Sequence, residues 1–410
     1  MSYLEAKEKY AQIGVDTETA ISRINNIPIS IQCWQGDDVR GFVYNATLSG
    51  GIQTTGNYIG RARNFQELTQ DLEQVFSLIP GKKRLALHAI YAVSDTFVPQ
   101  DRITINEFEP WIDWAEKNKV YLDFNPTLFS SPYVKDGFTL SSVDKETRTY
   151  WINHVKACRK IASEIGKRQN SPCLNNIWIP DGYKNVPSDR LGPRLRLKES
   201  LDEIFKEKYS KKYLLDSLES KLFGIGVESY TTGNSEFYQN YAALNGCYCL
   251  LDNGHFHPTE MVSDKISSML LFYDKVALHV TRAVRWDSDH VVLVDDELIE
   301  IAKEIIRNKA DDRVLIGLDY FDASINRLVA WTIGAQAMRK ALLYAALLPN
   351  EKLKELQNQN NFTEIMWINE QMKDYPFGDV WQEYLKREHM DMDIYDTLRV
   401  YEKKVLEKRK

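Results

Sequence analysis

Eight short runs of β-branched or other apolar residues alternate along this chain with longer segments of helical periodicity. The runs lie at residues 28–34, 84–90, 120–125, 175–180, 213–221, 247–252, 276–280 and 314–320. The segments between them carry apolar residues at three- and four-residue spacing, as at 65–79, 105–118, 147–168 and 295–308. Repeated strand-then-helix units of this kind predict an α/β protein folded as a (β/α)8 TIM barrel.

The C-terminal part of the chain extends beyond what a minimal barrel needs. The chain has 410 residues, whereas a barrel of this kind needs about 250. We expect residues 1–325 to form the barrel with an N-terminal helix, and residues 326–410 to form a helical extension. Two helical patterns, at 325–348 and 383–410, flank a polar break at 349–361. The extension is expected to cover the barrel flank or a neighbouring subunit.

The net charge and the hydropathy of the chain disfavour nucleic-acid and membrane partners. The net charge of −6 gives no basic footprint for nucleic acid. The start, MSYLEAKEKYAQIG, predicts a charged amphipathic helix, and no apolar run approaches the roughly 18 residues of a membrane span. We therefore expect a cytoplasmic protein without nucleic-acid or membrane partners. Its five cysteines lack zinc-type spacing and are expected to be reduced and buried, and the glycine-rich stretch 49–60 is a candidate mobile flap.

Polar or aromatic side chains occur at the carboxyl end of almost every predicted strand. They are Trp34, His88, Asp123, Trp178, Glu219 with Lys221, Asp252, His279 and Asp319. The loops that follow the strands of a barrel converge over one mouth, and the active sites of such barrels lie there. The sequence therefore predicts a functional site at this end of the barrel.

Acids and imidazoles at these strand ends form two candidate ligand sets for divalent cations. Four groups from successive strands suit an ion such as manganese, magnesium or cobalt: Glu219, Asp252, His279 and Asp319. A second, more exposed set comes from the following loops: His255, Asp287 and Asp289. Two divalent ions together with Lys221 would balance the five carboxylates of both sets, as a partly dry site requires.

Taken singly, each of these residues has a plainer interpretation. A lone aspartate after a strand could be a helix N-cap, a lone buried histidine could be hydrogen-bonded within the core, and a lone tryptophan could be a core aromatic. These alternatives apply to Asp252, Asp319, His88, His279, Trp34 and Trp178. Lys221 could be an electrophile that faces the substrate or a salt-bridge partner, and its anionic surroundings favour the electrophile.

Longer strings in the chain resemble the L-rhamnose isomerase family over essentially its full length. They are CWQGDDV (33–39), GGIQTTGNY (50–58), LHAIY (87–91), DFNP (123–126), NIWIPDG (176–182), ESKLFGIG (219–226), DNGHFHPTE (252–260), VRWDSDHVV (284–292) and GLDYFDASINR (317–327). Strings of this length, in this order, are far more specific than a lone short motif.

The resemblance implies a sugar isomerase that interconverts L-rhamnose and L-rhamnulose, the first step of rhamnose catabolism, usually as a homotetramer. It places a structural metal on the first set of four residues and a catalytic metal on His255, Asp287 and Asp289. Two divalent ions are expected in each subunit, with Mn²⁺ favoured and Mg²⁺, Co²⁺ or Zn²⁺ as alternatives. By the same resemblance Lys221 polarises the carbonyl at the first carbon of the sugar, while His88 and Trp178 contact the sugar.

The expected mechanism begins with opening of the sugar ring, assisted by His88. Glu219 and His255 are expected to lie against the open chain, and a water held by Asp287 or Asp319 is expected to carry the proton between the two oxygens. Hydrogen then moves from the second carbon to the first, either as a hydride, which we favour, or through a base and an enediol. The 6-methyl group needs an apolar wall, for which the candidates are Trp34, Ile90 and Tyr91.

Two rival functions also fit a two-metal barrel. One is a hydrolase or phosphodiesterase with a bridging hydroxide as nucleophile, and the other is a sugar-binding barrel without activity. The Glu219-Ser-Lys221 pair, the tryptophans at the mouth and the absence of an arginine cluster for phosphate disfavour the first. The complete set of metal ligands disfavours the second.

Overall fold

A closed barrel of eight parallel strands forms the centre of the molecule. The computed structural model describes residues 2–43, 48, 52–391 and 393–409. In chain order the barrel strands are β1 (Ile29–Gln32), β2 (Lys83–His88), β3 (Tyr121–Asn125), β4 (Cys173–Trp178), β6 (Leu214–Glu219), β8 (Tyr248–Asp252), β9 (Val276–Val280) and β10 (Val314–Leu318). Two short strands, β5 (Gly182–Tyr183) and β7 (Tyr230–Thr231), form a separate antiparallel pair beyond the carboxyl ends of β4 and β6. The predicted TIM barrel is therefore confirmed.

The helices surround the barrel and continue into the C-terminal part. They are α1 (Tyr3–Ala11), α2 (Thr17–Asn26), α3 (Phe65–Phe76), α4 (Glu109–Asn118), α5 (Lys145–Arg168), α6 (Leu191–Ile204), α7 (Ser235–Asn245), α8 (Val262–Met269), α9 (Asp296–Arg307), α10 (Arg327–Ala346), α11 (Asn350–Asn358), α12 (Phe362–Gln371), α13 (Phe377–Arg387) and α14 (Ile394–Lys404). One helix follows each barrel strand, from α3 after β1 to α10 after β10, as the alternating pattern predicts.

Parallel pairing brings the ends of neighbouring strands to one level. Trp178 of β4 pairs with Glu219 of β6, and Asp252 of β8 pairs with His279 of β9. Because the strands run in the same direction around a closed barrel, side chains at their carboxyl ends are neighbours around one mouth. The register of the barrel thus determines which predicted site residues can meet.

The polar break predicted at 349–361 is wrong. Helix α11 fills most of that segment, and it begins directly after Pro349. Of its residues only Leu356 is fully buried, and most of the others are exposed. The helix has only two apolar residues, Leu353 and Leu356; so short a stripe in a polar segment gives a weak helical signal.

Helix α10 packs as a barrel helix, although it lies within the predicted extension at 326–410. It contacts α9, α2 and α3, and it is buried along most of its length. Within it the buried Arg339 donates hydrogen bonds to the carbonyls of Ile24 and Ile27, the latter at 2.8 Å. A division of the chain between residues 325 and 326 stays a prediction, and this packing joins α10 to the barrel ring.

The C-terminal helix holds the described part of the predicted flap against the barrel. The Tyr58 hydroxyl donates to Glu402 at 2.8 Å, and the Tyr58 amide donates to the carbonyl of Ala323 at 2.8 Å. Arg409, beyond α14, pairs with Asp71 at 2.6 Å. Residues 49–51 of the predicted flap lie outside the described residues, so its closure over the mouth stays a prediction.

The structure bears on the predictions made for the cysteines and for membrane-spanning helices. All five cysteines are free and buried, as predicted, and burial raises the pKa of the Cys33 and Cys158 thiols. None of the helices described here is both long and apolar enough to cross a lipid bilayer.

Candidate metal centre and active site

Four acid and imidazole side chains meet at the barrel mouth. The first cluster consists of Glu219, Asp252, His279 and Asp319, all buried, with potential ligand atoms within 4.8 Å of one another. Glu219 and Asp252 are the last residues of β6 and β8, and Asp319 directly follows β10. His279 Nδ1 lies 3.0 Å from a carboxylate oxygen of Asp319 and 3.3 Å from one of Glu219. This cluster could bind a metal ion, as the sequence predicts.

A second cluster, formed by His255, Asp287 and Asp289, adjoins the first. His255 Nε2 lies 3.3 Å from a carboxylate oxygen of Asp287, and His255 Nδ1 lies 3.2 Å from Glu219 Oε1. The Lys221 ammonium pairs with the same Asp287 oxygen at 2.8 Å. Asp289 lines the same cavity as His255 and Lys221. The structure therefore brings all the predicted ligands of both sets and Lys221 to one place.

Burial makes the negative charges of these clusters costly. Burial raises the pKa of Asp252 to about 7, with His255 opposing the rise and Glu219 adding to it. Burial also raises the pKa of Asp289, and the neighbouring Asp287 carboxylate adds to that rise. Crowded carboxylates of this kind require a compensating proton or cation. A bound divalent cation would supply that compensation.

The histidine of the second cluster is oriented for a cation by the main chain. His255 Nδ1 lies 2.9 Å from the carbonyl oxygen of Ser220, so the hydrogen on that nitrogen donates to the backbone. This leaves Nε2, which faces Asp287, as the ring nitrogen that a cation could use. Metal-binding histidines commonly donate their other N–H to such an acceptor, which orients the ring. The donor set of this cluster therefore fits a cation.

Lys221 keeps its positive charge in spite of its burial. Burial lowers the pKa of its ammonium group, but Asp287 and Asp289 outweigh that effect and raise the pKa above its usual value. The ammonium also lies 5.1 Å from the centre of the Trp178 ring. Lys221 sits two residues beyond β6, in the loop rather than in the predicted strand. A buried, charged donor in this position can stabilise negative charge on a substrate oxygen.

Aromatic side chains form the wall of the cavity above the clusters. Trp34 stacks on His88 at 4.2 Å between ring centres, and Phe129 meets Trp178 edge to face at 5.6 Å. Among the described residues, the indole nitrogens of both tryptophans and both ring nitrogens of His88 are buried without a hydrogen-bond partner. Burial lowers the pKa of His88 to about 3, so its imidazole is neutral. The wall thus offers flat apolar faces together with unpaired polar atoms, which suits a sugar.

The structure does not bring Ile90 and Tyr91 to this cavity. Both lie on the 3-10 turn that follows β2, and neither is among the described residues that line the cavity. The buried Tyr91 hydroxyl donates to Asp37 at 2.5 Å. The Ile90 carbonyl accepts a hydrogen bond from the Phe42 amide at 2.7 Å. A role of Ile90 and Tyr91 in an apolar wall around the sugar therefore stays a prediction.

Asp123 does not belong to the mouth either, contrary to the sequence prediction. It is two residues before the end of β3 and points into the lower half of the barrel. There its carboxylate pairs with Arg84 at 2.7 Å and accepts hydrogen bonds from the Ser30 hydroxyl and the Leu174 amide. Its position one pleat below the strand end explains the difference.

Several residues that line the cavity were not predicted as site residues from the sequence. Phe129, Phe321 and Ile52 come from loops, whose conformation no strand or helix period predicts. Asn176 had a usable signal, because it lies two residues before Trp178 and so shares its face of β4. Its side-chain amide donates to Glu219 at 2.5 Å and thereby orients a carboxylate of the first cluster.

Comparisons with known proteins show which family this chain matches. The family model described as L-rhamnose isomerase (RhaA) matches residues 1–409. The L-rhamnose isomerases of Salmonella typhimurium and Salmonella paratyphi B are each 51% identical to this chain over 407 residues, covering 98% of it and 97% of the relative. A crystal structure of D-psicose 3-epimerase with D-tagatose from Clostridium cellulolyticum aligns with a TM-score of 0.46 at 12% identity, covering 77% of this chain and 96% of that one.

Proposed function

This chain belongs to the L-rhamnose isomerase family, and we propose that it interconverts L-rhamnose and L-rhamnulose. This proposal rests on one observation. Both clusters and the charged Lys221 lie together at the floor of a cavity with aromatic walls. The hydrolase alternative has less support, because no arginine is among the described residues that line this cavity. The non-catalytic alternative leaves the buried, charged Lys221 only its ion pair with Asp287.

We propose that the first and second clusters each hold one divalent cation. Carboxylate oxygens dominate both sets, with one imidazole in each, which suits Mn²⁺ best and leaves Mg²⁺, Co²⁺ and Zn²⁺ as alternatives. When bound, the cations would stabilise negative charge on the first two oxygens of the sugar as Lewis acids. Glu219 would bind the first cation beside His279 Nδ1, which lies 3.3 Å from its carboxylate.

His88, Trp34 and Trp178 would bind the sugar and assist ring opening. The neutral imidazole of His88 has one N–H donor and one acceptor nitrogen, and both nitrogens lack a partner among the described residues. It can therefore hydrogen-bond the ring oxygen and a hydroxyl of the closed sugar. The two indole rings would cover the apolar face and the methyl group, a role for which the geometry gives no support to Ile90 and Tyr91.

Lys221 would donate to the carbonyl oxygen at the first carbon of the open sugar. Proton transfer between the first two oxygens would take place beside Asp287 and Asp319, each of which has one buried carboxylate oxygen without a hydrogen-bond partner among the described residues. The hydrogen on the second carbon moves with its electron pair to the first carbon, while the hydroxyl proton moves between the oxygens. The aldose becomes a ketose with no external oxidant or reductant.

The hydride route predicts that the migrating hydrogen does not exchange with solvent. When the chain converts L-rhamnose in heavy water, we expect little deuterium at the first carbon of the ketose or the second carbon of the aldose, measured by proton NMR. Enzyme-free sugars in the same buffer provide the control for spontaneous exchange. Wholesale incorporation of deuterium would instead favour a base and an enediol.

Assembly and location are further proposals. We propose a homotetramer in the cytoplasm, as family resemblance implies. Helix α12 supports association between copies, because its Phe362, Met366 and Trp367 side chains are all more than half exposed, and clustered apolar surface commonly marks an interface.

A further inference from the structure

Gln32 lies directly beneath the first cluster, at the end of β1. It is 2% exposed, and its main-chain carbonyl accepts a hydrogen bond from the Trp331 indole at 2.9 Å. Its side-chain nitrogen lies 3.2 Å from His279 Nε2. Its side-chain oxygen is buried and has no hydrogen-bond partner among the described residues. The buried amide of Gln32 thus faces His279 of the first cluster, while the oxygen of this amide accepts no hydrogen bond from any described residue.

The two nitrogens of His279 have different surroundings. Nδ1 faces the carboxylates of Glu219 and Asp319, so it is the atom that can bind a cation in the first cluster. A neutral imidazole that binds a cation through Nδ1 carries its hydrogen on Nε2. That hydrogen needs an acceptor, because burying an unpaired N–H costs free energy.

A half-turn of the Gln32 amide supplies that acceptor. The oxygen and nitrogen of a side-chain amide occupy nearly equivalent positions, and the turn exchanges them without moving other atoms. It places the unused oxygen opposite the N–H of His279. We propose that Gln32 is a positioning residue whose side-chain carbonyl accepts this N–H and holds the His279 ring with Nδ1 free for the cation; the inference rests on the proposed function.

The second cluster provides an internal comparison. His255 donates to the main-chain carbonyl of Ser220 at 2.9 Å, an acceptor that no side-chain substitution removes. Gln32 variants should therefore weaken cation binding at the first cluster and leave the second unchanged. A general loss of stability would affect both.

The test measures Mn²⁺ binding to the metal-stripped full chain by calorimetry. Gln32→Met keeps the side-chain length but removes the acceptor, so we expect about 10- to 100-fold weaker binding in one of two steps, the usual effect of losing such a partner. Gln32→Glu retains an acceptor and is expected to bind Mn²⁺ at least as tightly as the unmodified chain. Gln100→Met is the matched control, because Gln100 is also a buried glutamine with an unpartnered oxygen, in the 3-10 turn at Gln100–Arg102.

The outcomes separate this inference from the proposed function. If the unmodified chain binds two Mn²⁺ and Gln32→Met binds both equally tightly, Gln32 has no positioning role. If Gln32→Met does not fold, weak binding by Gln32→Glu contradicts the inference and tight binding supports it. If the unmodified chain binds no Mn²⁺, the proposed function fails and this inference fails with it.

Discussion

Replacing Lys221 by methionine is expected to lower kcat by about 10²- to 10³-fold, the usual effect of losing a donor that stabilises developing oxyanion charge. The Lys221 ammonium is buried, charged and 2.8 Å from Asp287. Methionine preserves the packing against Trp178 but offers no positive charge. The measurement is steady-state ketose formation from L-rhamnose, with cation content determined on the same samples.

The control for this prediction is Lys211→Met. Lys211 also lies over an aromatic ring, that of Tyr248, at 4.6 Å. It precedes β6 and therefore lies at the amino end of the strands, opposite the mouth. The Lys211→Met variant should therefore form ketose with the same kcat as the unmodified chain. A Lys221→Met variant that keeps its cations and retains kcat within a few-fold would show that Lys221 is a salt-bridge partner only.

Replacing Glu219 by glutamine is expected to weaken Mn²⁺ binding at the first cluster by about 10²- to 10⁴-fold, because breaking a buried charge pair typically costs about 3–5 kcal/mol. Glu219 contacts His255 and His279 and accepts a hydrogen bond from Asn176. Glutamine has the same shape but no charge, and its NH₂ group cannot bind a cation. Calorimetry on the metal-stripped variant measures the loss, and activity should fall with it.

Glu297→Gln is the matched control for this change. Glu297 is a partly buried carboxylate that accepts hydrogen bonds from Ser263, and burial raises its pKa. Because it lies outside both clusters, its substitution should leave Mn²⁺ affinity unchanged. Equal affinity of Glu219→Gln and the unmodified chain would remove Glu219 from the ligand set.

The strand pattern predicted most of what positions the site. β-branched runs mark the eight strands, and parallel strands must present their last residues to one mouth. The strand pattern therefore predicted that Asp252 and His279 lie at the same mouth, where they are paired neighbours. The same reasoning failed for Asp123, because the sequence does not mark the exact end of a strand, and one pleat separates the mouth from the lower barrel.

Side chains beyond the strand ends were less predictable. At Ala89 the chain leaves β2 and enters a 3-10 turn, so strand alternation no longer predicts where Ile90 and Tyr91 point. Phe129 and Phe321 reach the cavity from loops whose shape depends on tertiary contacts. Gln32 was overlooked because a polar residue at a strand end becomes informative only when its neighbour, His279, is seen across the barrel.

The most direct test of the account is to strip the chain of metal with a chelator and to titrate Mn²⁺ back while ketose formation is followed. The stripped chain should form almost no L-rhamnulose, and activity should return fully only as bound Mn²⁺ reaches two equivalents per subunit. Full turnover by the stripped chain, or full recovery at one equivalent, would contradict the account.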